Sequence, residues 1–331
     1  MTPEQPAPAP LTLARESTTN NVGSNNSGGI TNIGGNNTFG NTAVGDGAVA
    51  YSGADHAAPS AADQAAASDT SAAPRWDIGV ITILAEEARA VNDVLGLEWE
   101  PGRVGGLFFA TGEIEAGDAP MSVVATRASS QGQRSAMATC ESLRRHYDPA
   151  VLVMVGIGGG IGQGDDAPDI GDVVIGTRVV YYDLRKEIAG GTIRRGEERE
   201  APAVVGHGVN TYFTVNGEPA PIPGQADGFD GREFRVFPSP IGSGEAVVAY
   251  EESEIRKYLT GFNDKILALD MEAGGLSQYW QENSVDPVRN PGWVVVRGIS
   301  DRADRAKGDA YHSLAARNAA FVARELIPYL R

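Results

Sequence analysis

The sequence predicts a single three-layer α/β domain with a central mixed sheet over residues 76–331, preceded by a low-complexity N-terminus that is disordered or self-assembling. Three observations carry this expectation. From Trp76 onward, apolar runs of strand length alternate with amphipathic stretches, a pattern that calls for a sheet covered on both faces. The 331-residue length allows one large domain or two ordinary ones. Residues 1–75, finally, carry only eight charged side chains and no apolar run to offset the entropy lost on ordering the backbone.

Residues 77–84 (DIGVITIL) read as a buried strand, and 85–95 as the helix after it. Residues 121–126 form a second strand, and 132–147 a helix with Met137, Cys140 and Leu143 on one face. Strands follow at 151–155 and 172–175. Residues 211–215, ahead of Asn216-Gly217, read as one arm of a hairpin. Strands at 266–269 and 293–297 come next. Residues 311–330 close the chain as an amphipathic helix burying Leu314, Phe321, Leu326 and Leu330. The Gly- and Pro-rich stretch 186–240 is the least regular and reads as a lid or insertion.

The N-terminal segment divides by composition. Residues 1–19 form a disordered Pro/Ala tail, 20–47 an Asn/Gly-rich repeat, and 48–75 a flexible Ala/Ser/Asp linker. In the middle piece, Val22-Gly23, Ile33-Gly34 and Val44-Gly45 recur every 11 residues. Single β-branched residues among Asn, Thr and Gly suit stacked strands with Asn ladders, and also suit a plain polar linker.

Charge and composition narrow the function. The 27 basic and 43 acidic side chains leave a net −16, which argues against a nucleic-acid partner, since that affinity rests on cations neutralising phosphates. Cys140 is the sole cysteine, and the four histidines are scattered, so neither a disulfide nor a metal site is expected. No stretch has the length and apolarity of a membrane span, and the first residues lack a signal peptide's basic start and apolar core. The expectation is a cytoplasmic protein with no membrane partner.

Residues 151–155 run into Gly156-Ile157-Gly158-Gly159-Gly160-Ile161-Gly162. A glycine cluster after a strand lets backbone approach a ligand closely. A dinucleotide fingerprint fails here because Ile161 takes its last glycine position, and no Gly-Lys-Ser/Thr follows for a P-loop. Three further segments add chemistry: Ala85-Glu86-Glu87 after the first strand, Leu269-Asp270-Met271-Glu272-Ala273, and Val296-Arg297-Gly298-Ile299-Ser300-Asp301. Glycines, carboxylates and a Met at four strand ends of one α/β sheet stand where such folds place ligands.

Together these segments resemble the nucleoside phosphorylase/nucleosidase superfamily, including methylthioadenosine/S-adenosylhomocysteine nucleosidases, over about residues 76–330. The Pro240-Ile241-Gly242-Ser243-Gly244 segment and the V-G-I-G-G-G loop lean toward the branch found in NLR-type and bacterial conflict-system effectors. The Asn/Gly repeat resembles the amyloid-signalling motifs of such effectors. The resemblance implies an enzyme that cleaves the base–ribose bond of a purine nucleoside or nucleotide, needs no cofactor, and forms a homo-oligomer, with a possible amyloid-type partner through residues 20–47.

The resemblance also implies roles. Asp301 is the acid serving purine N7, and Glu87 the carboxylate that orients water, with the choice between Glu86 and Glu87 left open. Glu272 accepts from the ribose hydroxyls, Met271 packs beneath the sugar, and Gly158 and Gly159 lie against the ligand. Ser300 and Arg297 support the site, while Val247 and Val248 present backbone to the purine edge. Arg127 and Arg134 are candidate phosphate contacts, as are Arg185, Lys186, Arg194 and Arg195. Each acid also has a plain structural reading: Glu87 favouring a helix dipole, Asp301 capping a helix, Glu272 solvated.

Phosphorylases of the hexameric purine branch carry an Arg ahead of the central glycine loop, where this chain has Met154. Hydrolysis is therefore expected, and ATP and small 5′-modified adenosines stand even as substrates. A phosphate-dependent phosphorylase and a non-catalytic nucleotide-binding adaptor remain the alternatives.

Overall fold

The computed structural model describes residues 75–117, 119–162, 167–222, 233–283, 292–304 and 308–331. The Pro/Ala tail, the Asn/Gly repeat and the linker up to residue 74 lie outside the described residues. The elements run β1 (Ile78–Thr82), α1 (Ala85–Leu95), β2 (Glu98–Trp99), β3 (Phe109–Ile114), β4 (Met121–Arg127), α2 (Gln133–Tyr147) and β5 (Val151–Gly160). Next come β6 (Val173–Gly176), β7 (Arg178–Tyr181), β8 (Arg185–Ile188), β9 (Gly191–Arg194), β10 (Glu197–Glu200) and α3 (Ala203–Asn216). The rest is β11 (Ala220–Ile222), β12 (Phe234–Pro238), β13 (Ile241–Ser243), α4 (Glu254–Phe262), β14 (Ala268–Asp270), α5 (Ala273–Asn283), β15 (Gly292–Asp301) and α6 (His312–Leu326).

The sheet is mixed. Its centre, β4–β1–β5–β15, is parallel, while β3, β14 and β6 join it antiparallel. Helices α1 and α6 cover one face, and α2 and α5 cover the other, which completes the three layers. The central strands are buried on both sides, as Ile78, Val80 and Ile81 of β1 and the whole of β15 illustrate. That double burial explains why they read as unbroken apolar runs.

β5 is the strand that makes a site possible. Its first half lies between β1 and β15, whereas Gly159 and Gly160 pair with β14. The strand thus crosses from one part of the sheet to another, and the sheet opens where it does. Glycine is required along this crossing: a Cβ on Gly158 would lie 2.8 Å from the Leu269 carbonyl oxygen.

Three expectations need correction. Residues 211–215 are not a hairpin arm but the last turns of α3, whose Val205, Val209, Tyr212 and Phe213 face inward at helical spacing. Asn216-Gly217 ends that helix, with Gly217 at φ 97° donating its N–H to the Phe213 carbonyl. Second, 186–240 is not one insertion. Among its described residues only the β8–β9 hairpin stands apart as its own two-stranded sheet, while β10 and β12 pair with β7 and β6 of the main sheet. Third, α6 starts at His312 and buries mainly alanines, with Leu314 and Phe321 only half-buried. Small residues let it lie close on β15, where a Cβ on Gly298 would meet the Ala315 backbone.

Candidate active site

A cavity of about 220 Å³ sits where β1, β5, β14 and β15 end. It is lined by Glu87, Gly158, Gly159, Val247, Met271, Glu272, Ser300 and Asp301. Eight of the residues expected from sequence are therefore brought together from five separate stretches of chain.

Glu87 projects inward from the first turn of α1 and is 2 % exposed. Its Oε2 accepts from the N–H groups of Ile83 (2.7 Å) and Leu84 (2.8 Å), and Oε1 from Ile157 N–H (2.9 Å). This settles the register between the two glutamates. Glu86 turns away toward His312, with Oε1 3.4 Å from His312 Nδ1. Its carboxyl is held below the usual range by a backbone N–H and, less strongly, by His312.

β15 delivers two consecutive residues to the cavity, which a regular strand cannot do because successive side chains alternate. A register shift between Ile299 and Asp301 against β5 solves this. Asp301 Oδ1 accepts from Ala303 N–H (2.8 Å), and Oδ2 from the Ser300 hydroxyl (3.0 Å). Those contacts hold the carboxyl in one orientation.

Asp270, Met271 and Glu272 form the connection from β14 into α5. Asp270 carboxylate oxygens accept from the N–H groups of Glu272 and Ala273, satisfying donors at the helix start. Glu272 Oε1 accepts from Gly132 N–H (3.0 Å) and Oε2 from Arg297 Nη2 (3.3 Å). Burial, only partly offset by Arg297, pushes the Glu272 carboxyl up to about 7.

Arg297 does not line the cavity. It is fully buried beneath it, with Nε and Nη2 donating to Asp270 Oδ2 at 2.9 and 2.6 Å and Nη2 lying 3.0 Å from Met154 Sδ. The guanidinium faces Asp270, Glu272 and Glu87 at once, so it holds three acids in a small volume. Gly156 makes room for this: a Cβ there would lie 2.5 Å from both Arg297 Nη1 and Glu87 Oε1.

Other expected residues fall elsewhere. Arg127 is exposed and donates from Nε to the Ile83 carbonyl (3.0 Å), and Arg134 is exposed on α2 beside Tyr181. Neither is among the described residues that line the cavity. The Val248 side chain is buried in a satellite cluster with Tyr182 and Leu259. Arg185 pairs with Glu187 on the exposed hairpin, and Arg194 reaches Asp183. Ile83, Leu84, Gln131, Ile157, Asp270, Asp309 and His312 complete the lining. Asp270 had been legible as part of a motif but without a role, and nothing in sequence brought Asp309 or His312 to the site. Among the described residues there is no cluster suited to a metal ion and no helix long and apolar enough to cross a membrane.

Residues 77–330 match the Phosphorylase superfamily, and the chain belongs to it. It is 27% identical over 267 residues to "ATP nucleosidase Cap17" of Escherichia coli (strain KTE188), an alignment covering 76% of this chain and 50% of that protein. The chain thus spans about half the length of that relative. It is 26% identical over 270 residues to the 5′-methylthioadenosine/S-adenosylhomocysteine nucleosidase of Mycobacterium bovis, covering 76% of this chain and 96% of the relative. Among solved structures, the corresponding nucleosidase of Neisseria meningitidis, in complex with methylthio-immucillin-A, shares the fold at a TM-score of 0.57 and 20% identity, covering 76% of this chain and 98% of its own. The futalosine hydrolase of Helicobacter pylori does so at 0.56 and 18%, covering 76% and 97%.

Proposed function

We propose that this chain hydrolyses the N-glycosidic bond between adenine and ribose in an adenine nucleoside or 5′-nucleotide. The observation that carries the reading is the convergence of Glu87, Glu272 and Asp301 on one cavity at the strand ends. Cleaving this bond leaves positive charge on the sugar and an electron pair on the departing base. Asp301 donates a proton to purine N7, which makes the base a better leaving group. Glu272, in its ionised form, accepts hydrogen bonds from the ribose 2′- and 3′-hydroxyls, and Met271 packs under the ring. Water attacks C1′ as the C1′–N9 bond breaks; its oxygen stays on the sugar and Glu87 receives its proton.

Buried Arg297 keeps one guanidinium nitrogen, Nη1, without a hydrogen-bond partner in the protein. A buried donor of this kind is ordinarily satisfied by bound water, and here that water would lie beside Glu87. Hydrolysis is favoured over phosphorolysis because the described lining contains five carboxylates and no Arg or Lys. A phosphate ion would meet repulsion where water does not. Residues 20–47 would gather copies of the chain and so raise activity, as befits an effector that acts on assembly.

Chromatography of the base released from ATP, AMP, adenosine and methylthioadenosine, with and without phosphate, tests the chemistry. Adenine release without phosphate is expected; release only with phosphate would make the protein a phosphorylase. If the chain lacking residues 1–75 is as active and as oligomeric as the full chain, the assembly reading is wrong.

A further inference from the structure

Among the described residues the cavity lining has no Arg or Lys to receive a 5′-phosphate, whereas a second concavity close by has three arginines. It occupies about 450 Å³ between α1 and α6, and Arg89, Arg317 and Arg324 lie along its walls. Glu86 and Ser313 line this groove, while their chain neighbours Glu87 and His312 line the cavity. The Glu86–His312 contact is therefore the partition between the two spaces.

The orientation of a nucleoside brings its 5′ end to this partition. With the base at Asp301 and the ribose diol at Glu272, C5′ is directed in this reading toward His312, a lining residue in contact with Glu86 of the groove. Beyond it, Arg89 follows Glu86 by three residues, about 4.5 Å along the α1 axis. Arg317 stands one turn past Ser313 on the same face of α6. Neither has a hydrogen-bonded or ion-paired side-chain partner among the described residues, and Arg324 makes one contact, from Nη1 to the Val94 carbonyl at 3.4 Å. Arginines left uncommitted on a chain of net charge −16 are notable because the guanidinium fork matches phosphate oxygens two at a time. Glu86 and Asp93 share the groove, so its field is only mildly positive and a lone small anion gains little there.

We propose that this groove receives the polyphosphate of a nucleoside 5′-triphosphate whose adenine and ribose fill the cavity, the chain passing over the Glu86–His312 pair. Arg89 and Arg317 are then residues that select the triphosphate over an uncharged 5′ group. This inference rests on the nucleosidase reading above and assigns its substrate class.

The test compares the full chain with Arg89→Ala/Arg317→Ala and with Arg317→Lys, using ATP and methylthioadenosine. The double variant is expected to lower the ATP-to-methylthioadenosine ratio of kcat/KM at least tenfold, mainly through KM for ATP, with Arg317→Lys falling between. Inorganic tripolyphosphate is expected to compete with ATP in the parent and to lose potency in the double variant. An unchanged ratio with efficient ATP cleavage overturns the groove and leaves the nucleosidase reading intact. Cleavage of methylthioadenosine but not ATP by the parent does the same. Should no substrate release adenine, the nucleosidase reading fails; calorimetry with ATP then still reads the groove, and equal affinity in parent and double variant overturns it.

Discussion

The two concavities flanking the Glu86–His312 pair are built on opposite principles. The cavity gathers carboxylates around one buried arginine whose Nε and Nη2 are engaged below its floor, and its acids are held by specific partners. The groove instead carries exposed arginines with almost no commitments. The first suits chemistry, in which acids must be held at fixed positions with distinct proton affinities. The second suits recognition of a flexible anion, which rewards cations free to adjust. One helix serves both: consecutive residues of α1 send Glu87 to the cavity and Glu86 to the partition.

Breaking the cavity while sparing the groove has the largest expected effect. Asp301→Asn or Glu87→Gln should lower kcat by about 10²–10⁴ for every substrate alike, with tripolyphosphate binding retained. Equal loss of tripolyphosphate binding would mean that the two regions are one.

Next in size is the floor. Asp270→Ala strips Arg297 of its main partner inside the protein and should destabilise the fold by about 3–5 kcal/mol, read as a fall in denaturation midpoint. Arg317→Ala in the groove should leave stability within about 0.5 kcal/mol. A mild Asp270→Ala would mean that Glu272 and Glu87 suffice to hold the cation.

Glu272 sharpens the contrast through pH. Its folded value of about 7 stands above the ordinary 4.5, so its contribution to stability is fully present below pH 4.5 and fades as pH rises through about 7. The gap in melting temperature between parent and Glu272→Gln should therefore shift against the parent from pH 5 to pH 8. Diol recognition runs the other way. KM for adenosine should fall as Glu272 ionises through pH 7, and that dependence should vanish in Glu272→Gln. The smallest effect is salt: raising ionic strength should weaken selection of ATP at the exposed groove while hardly touching methylthioadenosine.

Much of the cavity was legible because its residues lie in short motifs at strand ends. Glu86-Glu87, Met271-Glu272 and Ser300-Asp301 each pair a chemical group with the end of an apolar run, and parallel α/β architecture brings such ends together. Arg297 was legible as part of its motif but not as a floor residue, since its burial depends on Asp270, 27 residues away. Arg127 and Arg134 read as candidates near the mouth, but Arg127 at the end of β4 and Arg134 on α2 are both exposed and outside the described lining. The Asn216-Gly217 pair illustrates a local limit: the same dipeptide closes a hairpin or ends a helix, and the 3.6-residue spacing of Val205, Val209 and Tyr212 decides between them.

The sequence alone determined the alternation of elements, the acids available to them, and the glycines that let a central strand cross the sheet, because these follow from periodicity and local backbone freedom. Tertiary structure alone decided which of two adjacent glutamates faces inward, which arginine is buried beneath three carboxylates, and that two helices more than 200 residues apart enclose a second, cationic groove. The physical reason is that side-chain direction and electrostatic partnership depend on packing between distant segments, which no local pattern encodes.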